Sequence, residues 1–110
     1  MSRKLDAAIA ELLGTANTVW FVDKDGERIK INPSYSTDGN AMLELDREMR
    51  ERRYFLNIIS WGLRYEAIYH YQNEHNLIDK AISPFTDTIP FAVALAAYGA
   101  LTGKKWMGVE

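Results

Sequence analysis

The segment Thr88–Thr102 carries no charged residue. It reads Thr-Ile-Pro-Phe-Ala-Val-Ala-Leu-Ala-Ala-Tyr-Gly-Ala-Leu-Thr. A helix this apolar, with polar residues only at its ends, has to be covered on nearly every side. Pro90 falls in its first turn, where a missing N–H costs nothing, and Gly103 follows as a stop. Ala92, Ala96, Ala97, Gly99 and Ala100 make the helix slim enough for a neighbour to approach its backbone closely. The apolar run Ile89–Leu101 is too short to span a bilayer and contains Pro90 and Gly99. It is therefore a core helix, and the rest of a 110-residue chain has to supply layers around it.

Those layers are legible in order. Leu5, Ala8, Ile9, Leu12 and Leu13 recur at helical spacing, so a first helix is expected over Arg3–Leu13, with Ser2 as its cap and Gly14 as its stop. Thr18–Val22 is a strand by residue type, Asp25-Gly26 is a hairpin turn, and Glu27–Ile31 returns with Ile29 and Ile31 on one side and Arg28 and Lys30 on the other. Pro33 ends that strand. Ser36, Thr37 or Asp38 then caps a charged helix running to about Arg52. Met42, Leu45 and Met49 form its apolar face, and Asp46–Arg50 and Glu48–Arg52 are acid-first pairs four residues apart. Apart from that apolar face it reads as a solvated helix, the alternative being a basic patch for a phosphate at Arg50–Arg53.

Tyr54–Trp61 is a third strand, apolar on both faces, and is expected to be central and covered on both sides. Arg64–Tyr71 is a fourth, with Tyr65, Ala67, Tyr69 and Tyr71 on one face and Arg64, Glu66, Ile68 and His70 on the other. Leu77–Ile82 is a fifth, edge strand. Ser83–Thr88 repeats the pattern of a proline, an aromatic and a run of capping residues before a helix, with Thr86 or Asp87 as the expected cap. The fold class is α+β: a single domain over residues 1–110, in the order α-β-β-α-β-β-β-α, with a largely antiparallel sheet sandwiched between helices.

Thirteen basic and fifteen acidic residues leave a net charge of −2, which argues against general duplex nucleic-acid binding. The chain has no cysteine, hence no disulfide or thiolate site. The start of the chain does not read as a signal peptide, and a cytoplasmic setting is expected. No phosphate-binding glycine loop, nucleophile elbow or zinc-protease helix occurs, so neither an enzyme nor a cofactor is expected. His70 and His75, with Glu66 or Glu74, are the sole candidates for a metal, and two histidines without a fixed third ligand make no site. Asp38 and Asp87 could be pictured as an acid–base pair, but capping accounts for both.

The aromatic residues are more informative. Tyr65, Tyr69 and Tyr71 can pack between sheet and helix or offer a face to a base. Phe85, just before a helix start, can staple onto that helix or meet a ligand bearing a ring and a phosphate. The expected ligand-binding set is Tyr35, Ser36 and Thr37 at the first joint, Arg64 and Tyr69 on the fourth strand, Phe85 and Thr86 at the second joint, and Lys104, Lys105 and Trp106 after the last helix. The ring would lie on Phe85 or a tyrosine, and the phosphates would meet Arg64, Lys104, Lys105 and free N–H groups at the helix starts. At the first joint, Tyr35 and those N–H groups are favoured over the Asp38 carboxylate.

Three stretches carry a resemblance. They are Leu5–Gly14 (Leu-Asp-Ala-Ala-Ile-Ala-Glu-Leu-Leu-Gly), Pro33–Asp38 (Pro-Ser-Tyr-Ser-Thr-Asp) and Thr86–Ala92 (Thr-Asp-Thr-Ile-Pro-Phe-Ala) leading into the alanine-rich helix. In this order and spacing the chain resembles the phage ABA-sandwich domain family over roughly Leu5–Leu101. It departs from the family after Tyr71 and in its Lys104–Glu110 tail. The resemblance implies helices on both faces of an antiparallel sheet and a bacteriophage origin, hence the cytoplasm of a host. In scale and style the chain is also similar to the Thoeris anti-defence sponges, phage proteins that capture cyclised ADP-ribose signals. That likeness implies a non-enzymatic, homo-oligomeric protein sequestering a cyclic nucleotide or cyclised ADP-ribose. The alternative is a phage accessory protein acting by contact with a host protein, anchored by Tyr35, Trp61, Phe85 and Trp106.

Overall fold

The structure is a computed structural model that describes residues 3–14, 19–22, 24–73 and 77–107. Its elements are α1 (Arg3–Leu13), β1 (Val19–Val22), β2 (Arg28–Ile31), α2 (Gly39–Glu51), β3 (Tyr54–Trp61), β4 (Arg64–Gln72), β5 (Leu77–Ile82) and α3 (Ile89–Thr102). The α+β class and the element order are those expected from the sequence. The proposed cap at Ser2 and the residues Glu74 and His75 lie outside the described residues.

β1 and β2 form an antiparallel hairpin of their own, and β3-β4-β5 form a separate antiparallel sheet in that order. β3 is therefore an edge strand, not the central one. Its doubly apolar sequence does not reflect double cover: Ile58 and Trp61 are exposed. The central strand is β4. Its Ala67 and Tyr69 are fully buried, with Tyr69 level with Leu56 of β3 and Ala81 of β5.

The helices gather over that buried face. α3 lies on the three-stranded sheet, α2 packs on β3 and α3, and α1 packs on α3. The opposite face, with Asn57 and Trp61 on β3, Arg64 on β4 and Ile82 on β5, is exposed at these positions. Helical cover on both faces was expected, and it is found on one. Every residue of α3 is buried or half-buried, because the sheet covers one flank and α1 and α2 the others, which is what its sequence demands. Leu5, Ile9, Leu45, Met49, Val93 and the α3 alanines make the core.

Local chemistry sets the ends of the helices. Asp38 caps α2, its Oδ1 accepting the Asn40 N–H at 2.9 Å. α3 is capped one or two residues later than the sequence suggested, by Thr88, whose Oγ1 accepts the Phe91 N–H at 3.4 Å. Thr86 and Asp87 stand outside the helix. Pro90 lies in the first turn and Gly103 closes α3 at φ 73°.

Both expected pairs on α2 form, Asp46–Arg50 at 3.3 Å and Glu48–Arg52 at 3.5 Å. Asp46 is not confined to a solvated face, however. Its Oδ1 also accepts from the Tyr69 hydroxyl at 3.1 Å and so ties α2 to the central strand. Burial, then the Asp46 carboxylate, holds the Tyr69 phenol neutral well beyond the ordinary tyrosine range.

Candidate functional site

The site begins with a tight turn. β3 and β4 are joined by Gly62 and Leu63, with Gly62 at φ 68°, a conformation glycine adopts without strain at the first position of such a turn. This makes Trp61 and Arg64 the last pair of the ladder. One residue on, Tyr65 exchanges backbone hydrogen bonds with Thr86: the Tyr65 N–H donates to Thr86 O at 2.8 Å and the Thr86 N–H to Tyr65 O at 2.9 Å. That bridge pulls the second joint alongside the start of β4. Further back, the Ala67 N–H donates to Ser83 Oγ at 2.9 Å and the Ser83 N–H to Ala67 O at 2.8 Å. Ser83 and Thr86 thus stitch the loop to β4 on either side of Pro84 and Phe85. Phe85 is left 53% exposed, with its ring edge-on to Trp61 at a centroid distance of 6.2 Å.

The first joint arrives from the other side. The N–H groups of Thr37 and Asp38 both donate to Ser34 O, at 3.2 and 2.9 Å, forming a compact turn. The Ser36 N–H donates to Asp6 Oδ1 of α1 at 2.9 Å, in a buried contact spanning 30 residues of chain. The joint is thereby clamped to α1. Tyr35 is driven fully into the core, and Ser36 is 2% exposed. Asp6 is the residue whose part the sequence reading did not foresee. A carboxylate at a position flanked by Leu5 and Ile9 on the buried face of α1 was the available signal.

The two joints meet at a cavity of about 380 Å³ lined by Ser36, Thr37, Arg64, Phe85, Thr86, Asp87, Thr88 and Phe91. Five of the residues expected at a binding site are thus brought together: Ser36, Thr37, Arg64, Phe85 and Thr86. The Ser36 hydroxyl oxygen is buried with no hydrogen-bond partner among the described residues, an arrangement that costs free energy unless something fills it. Arg64 is exposed and makes no ion pair among the described residues. Thr86 is spoken for: its hydroxyl donates to Thr88 O at 2.7 Å. Asp87 also lines the wall, so the cavity's lining holds one carboxylate and one guanidinium.

The remaining expected site residues lie elsewhere. Tyr35 and Tyr69 are fully buried, so neither ring has a face to offer a ligand; both are core residues. The N–H groups of Ser36, Thr37 and Asp38 are taken by Asp6 and Ser34, so they are not the free donors expected at that helix start. Lys104, Lys105 and Trp106 line a second cavity, of about 570 Å³, with Lys80, Ala81, Ile82, Ser83, Pro84, Gly99 and Gly103. The neighbours Pro84 and Phe85 belong to different cavities, so the second joint is the wall between them.

Among the described residues no group of three His, Asp or Glu side chains is placed to hold a metal ion, and no helix is long and apolar enough to cross a membrane. The fold and site define a small α+β domain with an open, mixed-polarity cavity between two helix starts. Comparison with protein-family models, curated proteins and solved structures finds no match for the chain.

Proposed function

We propose that the chain is a phage-encoded, non-enzymatic binding protein that sequesters a small anionic signal bearing a ring, a cyclic nucleotide or cyclised ADP-ribose, in the host cytoplasm. The observation that carries this reading is the convergence of three groups on one cavity. Phe85 presents an aromatic ring, Arg64 a cation free of ion pairs among the described residues, and Ser36 a buried hydroxyl without a partner. A base stacks on the Phe85 ring. The Arg64 guanidinium forks onto a phosphate. The Ser36 hydroxyl completes its hydrogen bonding on a ligand oxygen or ring nitrogen.

A volume of about 380 Å³ is near the small end for ligand sites. A ligand larger than a mononucleotide then needs a further wall, which a second copy supplies, so the protein acts as a homo-oligomer.

Calorimetry of the full chain against a panel of cyclic nucleotides and cyclised ADP-ribose tests the proposal. Binding that is lost in Phe85→Ala and Arg64→Gln is expected; no heat at high micromolar ligand rejects it. Recovery of the ligand unchanged, by mass spectrometry, is expected of a sponge, and a cleaved product would make the chain an enzyme instead.

A second reading rests on the aromatic pair itself. Trp61 and Phe85 are 57% and 53% exposed, and Leu63 beside them is 91% exposed, which suits anchors for a host protein. In that reading Tyr35, being buried, is not an anchor. Capture of a host partner by the wild type, lost in Trp61→Ala with small-molecule binding absent, selects it.

A further inference from the structure

The second cavity has a different character from the first. It lies between β5 and the C-terminal end of α3, and among the described residues its lining includes Lys80, Lys104 and Lys105 but no carboxylate. Among the described residues none of these lysines makes an ion pair. Three lysines lining one hollow, with no ion pair among the described residues, on a chain of net charge −2, form a local field opposite in sign to the whole.

Each lysine has an ordinary explanation on its own. Lys104 and Lys105 follow the end of α3, where cations offset the helix dipole. Lys80 is the residue left unpaired by the irregularity between Tyr69–Ala81 and His70–Asp79, and a lysine there guards a free strand edge. Neither explanation requires the three to share a cavity, or requires the cavity to have a shaped floor.

That floor is built. Gly99 lets α3 lie close on β5; a Cβ there would sit 3.1 Å from the Ala81 Cβ. The tail beyond Gly103 is fixed by Thr102, whose hydroxyl donates to Tyr98 O at 2.8 Å and accepts the Lys104 N–H at 3.1 Å. Trp106 is held edge-on against Tyr98 at 5.0 Å and closes the apolar side. The bulge and Pro84 oppose addition of a further strand along β5, so an extended peptide is a poor occupant. A compact polyanion suits the volume and the charge.

We propose that this cavity is a second binding site, distinct from the one at Phe85 and Arg64, for a small multiply charged anion of the polyphosphate or polycarboxylate kind. The lysines take the charges and Trp106 and Pro84 take any apolar part. Pro84 lines one cavity and Phe85 the other, and the two share no lining residue, so one chain has room for both ligands.

The test uses the full chain with tripolyphosphate, citrate and orthophosphate as probes in calorimetry at low and physiological salt. The expected result is saturable binding of tripolyphosphate or citrate, weaker binding of orthophosphate, and a loss of affinity with salt. Lys104→Gln and Lys80→Gln each weaken it by about tenfold, the worth of one charge-assisted hydrogen bond, whereas Arg64→Gln leaves it unchanged. Circular dichroism melts of the variants confirm that the fold is kept. Absence of polyanion binding overturns the proposal. So does binding indifferent to the lysine variants, and so does binding lost equally in Arg64→Gln, which would place the anion in the first cavity. Failure of the cyclic-nucleotide assay leaves this result unaffected, since the two sites are read with different probes and different variants.

Discussion

In Asn32–Asp38 the aromatic that follows the proline turns inward, and in Ser83–Thr88 it turns outward. The ingredients are otherwise alike: a proline, an aromatic, then hydroxyl residues and an aspartate before a helix. What differs is the partner that holds each loop. The first is clamped from beneath by a buried carboxylate, Asp6, whose bond to the Ser36 N–H draws the chain down and buries Tyr35. The second is held from the side by the backbone of β4, through the buried Ser83 and Thr86, which leaves Phe85 between them half exposed. One joint became core and the other became a cavity wall. The two together make a site that neither makes alone.

The largest effect expected from this contrast is on stability. Tyr35→Ala should cost about 3–5 kcal/mol, as for other large aromatic truncations in a core. Phe85→Ala should stay within about 0.5 kcal/mol of the wild type, because half of its surface is already in water. Urea denaturation of the two variants measures both. Equal losses would mean that Phe85 is also structural, and its assignment to the ligand would fall.

Next in size is the clamp. Asp6→Ala leaves the buried Ser36 N–H without an acceptor and should cost about 2–3 kcal/mol. Asp6→Asn, which keeps an oxygen there, should cost less. Since Ser36 lines the cavity, Asp6→Ala should also weaken ligand binding although Asp6 is not among the lining residues. A variant that unfolds no more easily than wild type would show that the first joint is held by something else.

Tyr69 extends the comparison to an inward aromatic on a strand. Removing its hydroxyl, Tyr69→Phe, takes away one hydrogen bond to Asp46 and should cost about 1 kcal/mol. Its pH signature is more specific. Tyr69 stays protonated in the fold well above the ordinary tyrosine pKa, whereas the unfolded chain releases that proton near pH 10. Above pH 10 the unfolded state binds fewer protons than the folded one, so stability falls as pH rises; below it this contribution is fully present. Tyr69→Phe should flatten the decline between pH 10 and higher pH in denaturation midpoints. An unchanged slope would place the alkaline sensitivity elsewhere.

How far the sequence could be read follows from the same contrast. Element order, a cap for α2 within Ser36–Asp38, the Gly103 stop and the division of β4 into two faces are local or periodic properties, and they were legible. The direction of Tyr35 was not, because it depends on Asp6, thirty residues away in the chain. Nor was the edge position of β3: its apolar content is the same whether a strand is added beside it or left off, and here β1 and β2 pair with each other. Lys104, Lys105 and Trp106 have the right chemistry for an anion site, but the fold of the tail carries them to the other side of the Ser83–Phe85 wall. Ser36, Thr37, Arg64, Phe85 and Thr86, half of the residues expected together, do line one cavity; Ser36, Thr37, Phe85 and Thr86 stand before helix starts, which residue type marks in the sequence.

The finest distinction lies between the two aspartates. Asp38 accepts the Asn40 N–H and caps α2, so Asp38→Ala should cost about 1 kcal/mol. Asp87 does not cap α3, since Thr88 does. Asp87→Ala should therefore stay within about 0.5 kcal/mol of wild type. Its consequence is electrostatic instead. Asp87 lines the same cavity as Arg64, where its carboxylate opposes any phosphate that Arg64 draws in. Asp87→Asn should then tighten binding of a cyclic nucleotide by a few-fold, an effect that shrinks as salt is raised. If affinity instead falls on that substitution, Asp87 is accepting a hydrogen bond from the ligand. The ligand must then carry a donor, such as a hydroxyl or an exocyclic amine, on the side away from its phosphate.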